Sequence, residues 1–354
     1  MSKANKTITP LLIGPLPNVK ANKIGGARVS FSELHQYFQT KNIPHELVNT
    51  QSMESGIGRF LNPFYILLKI LLRLPKVDLL FVNLSQSGTK TLAPLLYILS
   101  RFLGKKFVFR PFGGSLKDYY DAYHPLQKWL FKRTLLRADL FFFQTIELLK
   151  YFKAMGANGV QLPTSRKNQD SFLRDTQRPF QKRFVFMGHI KTSKGIDIAL
   201  EAFEQLEDTY SIHFYGPIKE AKYKTLFAKE GSPYKGLLKK EEVLATLSNY
   251  DVLILPTYFS GEGYPGAIIE AYALGLPVIA SQWKAIPEIV QHQETGFLVE
   301  PKSVNALLEG LRFFTPENYA PLSANARAYF LSAFEAEAIT GRAWQQIQNL
   351  WDND

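Results

Sequence analysis

The chain has 354 residues, 46% of them hydrophobic and 14% aromatic, a length and composition that suit two domains with substantial cores. It has no cysteine, which excludes disulfide frameworks and cysteine–zinc sites. The net charge of +11 is unevenly placed: residues 1–178 carry 26 Lys and Arg against 10 Asp and Glu, a balance of +16, and residues 179–354 carry 16 against 21, a balance of −5. Such a split, without an RRM, KH, zinc-finger or helix-turn-helix signature, points away from nucleic acid and toward an anionic membrane surface. No stretch approaches the ~20 apolar residues of a membrane span. The apolar segment after the basic start is too short for a signal peptide.

In chain order, residues 9–16 read as a first strand. Gly25 and Gly26 then precede a helix in which Val29, Phe31, Leu34 and Phe38 fall near helical spacing. Glycines at that point let backbone N–H groups approach an anion, although a tight turn is the simpler reading. Residues 45–48 form the next strand. Residues 60–74 are apolar with Lys69 and Arg73 interspersed, open to a core-facing or a membrane-surface helix, with core packing expected for most of it. Residues 77–84 read as a buried parallel strand and 92–103 as a helix. Residues 106–109 are a strand running into Arg110-Pro-Phe-Gly113-Gly114-Ser115, a Gly-rich turn at the strand end where open α/β sheets bind ligands. Residues 118–137 mix aromatic and basic side chains around His124. They read as a packed helix or as a face for a polar, anionic or lipid-linked acceptor. A strand at 138–144 and a helix at 147–155 close this half. The polar stretch 163–179 reads as a linker.

The second half repeats the alternation. A strand at 184–187 leads into Gly188-His189-Ile-Lys191-Thr-Ser-Lys194-Gly195 and a helix over 196–206. Two lysines beside a helix N-terminus suit a diphosphate, although loop lysines are usually just solvated. Strands follow at 211–215 and 251–256. Residues 258–301 are then a loop with Gly261, Gly263 and Gly266, a helix carrying Glu270, and another strand. Strand, Gly-rich turn, helix and strand is the layout that receives a phosphate or nucleotide at the turn. The last amphipathic segment, 334–351, has no strand after it and must pack on an existing surface. The chain therefore reads as α/β: a domain over 1–165, a linker over 166–180, a domain over 181–333, and a C-terminal helix over 334–354 expected to pack back toward the first domain.

The run Glu262-Gly-Tyr-Pro-Gly-Ala-Ile-Ile-Glu270-Ala resembles the Glu-x7-Glu motif of retaining GT-B glycosyltransferases of family four (glycosyl transferases group 1), of the polysaccharide- and lipopolysaccharide-assembly type. The likeness extends through residues 273–281, 287–290 and 295–299, and through the Gly188 loop and its helix. It implies a GT-B fold, two Rossmann-like doubly wound domains facing a central cleft. It implies a metal-independent, retaining hexosyltransferase that uses a UDP- or GDP-sugar donor and no other cofactor. The acceptor the resemblance implies is a lipid-linked cell-surface glycan, reached by a cytoplasmic protein peripheral on the inner face of the plasma membrane.

The resemblance also assigns residues. Glu262 and Lys194 are the expected catalytic pair, Glu262 toward donor-sugar hydroxyls and Lys194 neutralising the diphosphate. Glu270 would meet the ribose hydroxyls. Backbone N–H groups around Gly263, Tyr264, Pro265 (which has none of its own), Gly266 and Ala267 would hold phosphate oxygens. Gly188, His189 and Lys191 complete the donor set. Gly25, Gly26, Arg110, Gly113, Gly114 and His124 form the N-domain side of the cleft. Two positions depart from the family pattern: His189 stands where an arginine is common, and Gly113 where a histidine is common. His124 is the candidate replacement for that histidine. No metal site is expected, since the only Asp-x-Asp is the terminal Asp352-Asn-Asp354. The other readings are a GT-B-fold sugar-nucleotide epimerase and a non-catalytic scaffold.

Overall fold

The computed structural model describes residues 7–17, 26–51, 57–173 and 178–352, without the side chains of 57–63 and of 86–87. Gly25 and the last two residues of the terminal Asp-x-Asp lie outside these. The chain divides into two compact units, Met1–Pro163 with Ala336–Asp354, and Thr164–Glu335.

The first unit runs β1 (Pro10–Gly14), α1 (Gly26–Thr40), β2 (Glu46–Asn49), α2 (Ile57–Arg73), β3 (Leu79–Leu84), α3 (Gln86–Lys90), α4 (Leu92–Phe102), β4 (Lys106–Pro111), α5 (Leu116–Asp121), α6 (Pro125–Arg133), β5 (Leu140–Phe143), α7 (Ile146–Ala154) and β6 (Gly159–Gln161). Its six strands are all parallel, in the order β2-β1-β3-β4-β5-β6. β3 and β5 are buried throughout, as strands covered on both faces must be. One face carries Ile66 and Ile70 of α2, Leu96 and Tyr97 of α4, Phe131 of α6 and Phe152 of α7. The other carries Phe31, Leu34 and Phe38 of α1.

The second unit runs β7 (Arg183–Met187), α8 (Ile196–Glu204), β8 (Ser211–Tyr215), α9 (Ala221–Leu226), β9 (Tyr234–Gly236), α10 (Val243–Leu247), β10 (Val252–Leu255), α11 (Gly266–Ala273), β11 (Val278–Ser281), β12 (Gly296–Val299), α12 (Val304–Phe313) and α13 (Pro316–Ala333). The strand order is β12-β11-β10-β7-β8-β9, again all parallel. Numbered within the unit this is 3-2-1-4-5-6, the dinucleotide-binding order, whose direction reverses between β7 and β10. The entry to β7 is pinned by Asp251, a fully buried carboxylate that accepts from the Gln181 and Arg183 N–H groups and from Arg178 Nη2.

The expected α/β class holds, and three local readings change. The aromatic–basic stretch at 118–137 is not one helix but α5, α6 and a short 3-10 turn at Leu135–Arg137; Pro125 starts α6, where its missing N–H costs nothing. Only a stripe of α2 is core: Ile66 and Ile70 are buried, while Phe64, Leu68 and Leu72 are exposed. The last helix, α14, is Ala336–Gln348, shorter than 334–351, and its Ile339, Ala343, Trp344 and Ile347 join Phe31, Leu34 and Phe38 in one cluster. The Trp344 ring meets Phe38 edge to face with centroids 5.0 Å apart. Trp344→Ala is expected to cost the first unit about 3–5 kcal/mol, read as a lower urea midpoint. A loss under about 1 kcal/mol, the scale of a surface substitution, would show that α14 is not part of that core.

Candidate functional site

The reversal of strand order makes the second sheet's C-terminal edge a crevice, because the chains leaving β7 and β10 depart to opposite sides. The loop after β7 is Gly188–Gly195, and the loop after β10 runs from Pro256 to Pro265. They are knitted together: the Tyr258 N–H donates to the Ser193 carbonyl at 2.9 Å, and Thr257 Oγ1 lies 3.3 Å from the same oxygen. Residues 68 positions apart thereby meet. Lys194 Nζ donates to Glu262 Oε2 at 2.5 Å, and Thr257 Oγ1 lies 2.8 Å from that oxygen. The Lys194 and Glu262 side chains are 13% and 8% exposed. Burying a carboxylate and an ammonium is tolerated only where each finds its partner.

Aromatic side chains frame the pair. Lys191 Nζ lies 3.5 Å from the Phe259 ring centroid and Lys194 Nζ 5.2 Å from it. The Phe259 carbonyl accepts from Trp283 Nε1 at 2.8 Å, which fixes the loop from its far side. Partial burial pushes the Lys191 pKa down, and the neighbouring Lys194 adds to this. His189 sits at the outer surface of the β7 loop. Desolvation by packed protein atoms lowers its pKa, with Lys219, Lys194 and Lys191 adding to the effect and Glu262 opposing it.

α11 supplies the second carboxylate. Gly266 and Ala267 are its first residues, whose N–H groups have no intrahelical acceptor, and Glu270 follows one turn later. Glu270 Oε1 accepts from Arg166 Nε at 2.7 Å. Tyr264 turns inward, is buried, and donates its hydroxyl to Glu288 Oε2 at 2.7 Å, leaving its backbone to the loop. Gly188, His189, Lys191, Lys194, Glu262, Gly263, Pro265, Gly266, Ala267 and Glu270 thus all lie in the two loops after β7 and β10 and the helix that follows.

Arg166 escaped the sequence reading, because it sits in the polar stretch taken for a linker. The only signal available is a basic residue next to Pro163-Thr-Ser, too weak to place it beside Glu270, 104 positions further along the chain.

The remaining predicted residues lie in the first unit. Arg110, at the end of β4, is buried. Its guanidinium lies 5.2 Å from the Phe112 ring centroid, and Nη2 lies 3.4 Å from the Pro163 carbonyl. Burial pushes its pKa down to about 10, with the Glu33 carboxylate opposing. Gly113 has φ 97°, a region open to glycine and strained for histidine, so the residue matches the turn. Gly114 follows it. Gly26 is exposed at the start of α1. His124 is the N-cap of α6, its Nδ1 accepting from the Leu126 N–H at 3.4 Å.

The arrangement can hold an anion between loop lysines and the free N–H groups of α11, with two carboxylates placed to accept hydroxyl hydrogen bonds. His189 is expected to be neutral at pH 7, titrating below 6.5 in a histidine NMR titration. Lys191→Ala and Lys194→Ala are each expected to raise that midpoint. A wild-type midpoint above 6.5 would overturn this electrostatic account.

Residues 181–314 match the family model described as glycosyl transferases group 1. The chain is 26% identical over 264 residues to a putative colanic acid biosynthesis glycosyltransferase, WcaL, of Escherichia coli, covering 69% of this chain and 64% of the relative. It is 29% identical over 192 residues to a putative teichuronic acid biosynthesis glycosyltransferase, TuaC, of Bacillus subtilis, covering 51% of this chain and 48% of the relative. The matches thus span less than two thirds of these relatives' own length. Among solved structures, Anabaena HepE in complex with UDP superposes with a TM-score of 0.73 at 14% identity, covering 97% of this chain and all of that one. Sucrose-phosphate synthase from Thermosynechococcus elongatus gives 0.72 at 17%, covering 98% and 100%. At such identities the likeness shows the fold, which is GT-B.

Proposed function

We propose that this chain, whose residues 181–314 are a glycosyl transferases group 1 domain, is a glycosyltransferase of polysaccharide assembly. It transfers a hexose, with retention, from a UDP- or GDP-sugar to a lipid-linked cell-surface glycan. The observation that carries the reading is the Lys194–Glu262 pair at the sheet's switch point, in the loops that lead to α11, whose Glu270 stands one helical turn from its N-terminus.

In this reading the diphosphate lies against Lys194, Lys191 and the Gly266 and Ala267 N–H groups. The bond from the anomeric carbon to the diphosphate breaks, and negative charge gathers on the leaving oxygen. Lys194 is already in place to stabilise that charge, where water is largely excluded. The acceptor oxygen bonds to the same face of the anomeric carbon, so no protein nucleophile is needed. Its proton leaves with the departing diphosphate. Glu262, held by Lys194 and Thr257 through one oxygen, orients the sugar hydroxyls. Glu270 receives the ribose. No metal ion or further cofactor takes part.

The test is nucleoside diphosphate release from UDP- and GDP-sugars, with and without a glycan acceptor. Lys194→Ala and Glu262→Ala are each expected to lower kcat about a hundredfold, the scale of one lost transition-state contact, with EDTA leaving the wild-type rate unchanged. Equal turnover in wild type and both variants would sink the site assignment. A sugar-nucleotide product formed without acceptor would favour an epimerase.

The membrane part of the proposal rests on the first unit. No helix among the described residues is long and apolar enough to cross a membrane. α2, α4 and α6 cover one face of the first sheet, and their outward sides carry Phe64 (72% exposed), Leu72, Ile98, Phe102 (86%), Leu126 and Trp129. None of the three helices contains a carboxylate, whereas Lys69, Arg73, Arg101, Lys128, Lys132 and Arg133 are among their residues. Arg73 and Arg101 are paired with Glu46 and Asp139 of neighbouring elements, and apolar side chains beside the remaining cations suit the anionic inner face of the plasma membrane. The protein is expected to sediment with phosphatidylglycerol vesicles at low salt, to be released as salt rises, and to lose binding in Phe102→Glu with Trp129→Glu. Equal sedimentation with neutral vesicles, or none with either, would overturn this part.

A further inference from the structure

We infer that Arg166 is the positioning residue of Glu270, and through it of the nucleoside ribose. The inference rests on the proposal that Glu270 receives the ribose. The guanidinium is held on three sides. Nε donates to Glu270 Oε1 at 2.7 Å, and Nη1 donates to the Ser165 carbonyl at 2.9 Å. Nη2 lies over Gly266, so close that a Cβ built there would stand 2.1 Å from it. The backbone beneath is tied as well: the Arg166 N–H donates to the Phe334 carbonyl at 3.0 Å, and Thr164 Oγ1 lies 3.4 Å from the Tyr264 carbonyl. Arg166 is 9% exposed and Glu270 22%, so the arginine is the inner, fixed member and the carboxylate the outer, accessible one.

Two consequences follow from this order. A glutamate on a helix has three side-chain torsions to settle before it can accept a hydroxyl. A rigid arginine fork behind it settles them before the ligand arrives, which is where preorganisation gains affinity. Glu270 also stands one turn from the N–H groups that would hold a diphosphate, where an uncompensated carboxylate would repel it. Arg166 supplies the compensating charge without occupying the outer face. The glycine at 266 belongs to the same device, because any side chain there meets the guanidinium. Gly266→Ala is therefore expected to reproduce the loss of Arg166.

Titration calorimetry with UDP, GDP and their 2′-deoxy counterparts tests this on wild type, Arg166→Gln, Gly266→Ala, the double variant and Glu270→Gln, with melting temperatures in parallel. Wild type is expected to prefer the ribonucleotide. Arg166→Gln weakens it about tenfold, the scale of one charge-assisted hydrogen bond, and leaves the deoxynucleotide within about twofold, so the preference collapses. Gly266→Ala does the same, and the double variant is no worse than either single one, as residues of one unit behave. An arginine with a merely structural role would lower the melting temperature and weaken both nucleotides alike, which overturns the inference. If Glu270→Gln collapses the preference while Arg166→Gln keeps it, only the inference about Arg166 fails. If Glu270→Gln keeps it too, or wild type binds no nucleotide, the ribose reading fails first.

Discussion

A carboxylate buried in the loop after β10 is the constraint on which the candidate site depends. Glu262 is 8% exposed, and a charge so placed needs a charged partner and further hydrogen bonds. Lys194 and Thr257 supply both, but they come from different loops. They meet because β7 and β10 are neighbours in the sheet although 64 residues of chain separate Met187 from Val252. The strand order thus determines which residues can share a site. The loop-to-loop bond from Tyr258 to Ser193 and the anchoring of Phe259 by Trp283 hold the two loops in register around the pair. Any change that loosens one of these contacts leaves a desolvated charge behind, so the site and the stability of the second unit are coupled.

Most of the strands and the two principal loops were legible in the sequence because their signals are local, whereas β6, β9 and β12, of three or four residues each, were not. Buried parallel strands read as apolar runs, and glycines with paired carboxylates mark the turn and helix that follow. What was not legible is what distant residues do to each other. Arg166 reads as a solvated linker charge until the fold brings it to Glu270. The stretch at 118–137 has the composition of one helix, but Pro125 divides it. In α2 the apolar residues outnumber the positions the sheet can cover, so a helix expected mostly in the core shows its excess to the outside. α13 has a Pro at position 321 inside the helix and no clean periodicity, which left it unread.

The two units solve the same packing problem with different strand orders, and the difference bears on where a ligand can bind. In the second unit the reversal falls between β7 and β10, and every residue of the candidate donor set flanks it. In the first unit the reversal falls between β1 and β3, one strand away from the Arg110 turn. That turn is built around a buried cation whose pKa is pushed down to about 10, whereas the largely buried cations of the second unit's site, Lys194 and Arg166, are each bonded to a carboxylate. The uneven charge of the sequence is therefore not one feature but two: basic helices on the outside of one unit, and a few placed lysines at a strand edge of the other.

The discontinuity of the first unit has a consequence for how the protein is made. Ribosomal synthesis delivers residues 1–163 first, yet one face of that sheet, with Phe31 and Phe38, is covered by α14, which emerges only after the whole second unit. During the intervening 172 residues, Thr164–Glu335, the nascent chain presents an uncovered apolar face next to strands that already pair. The second unit is contiguous and can close on itself as it leaves the tunnel. The first cannot, and at a synthesis rate of about 5–20 residues per second its core waits on the order of ten seconds or more for its last helix. The vulnerable species in the life of this protein is thus the half-made chain, and a nascent-chain chaperone has one defined surface to shield.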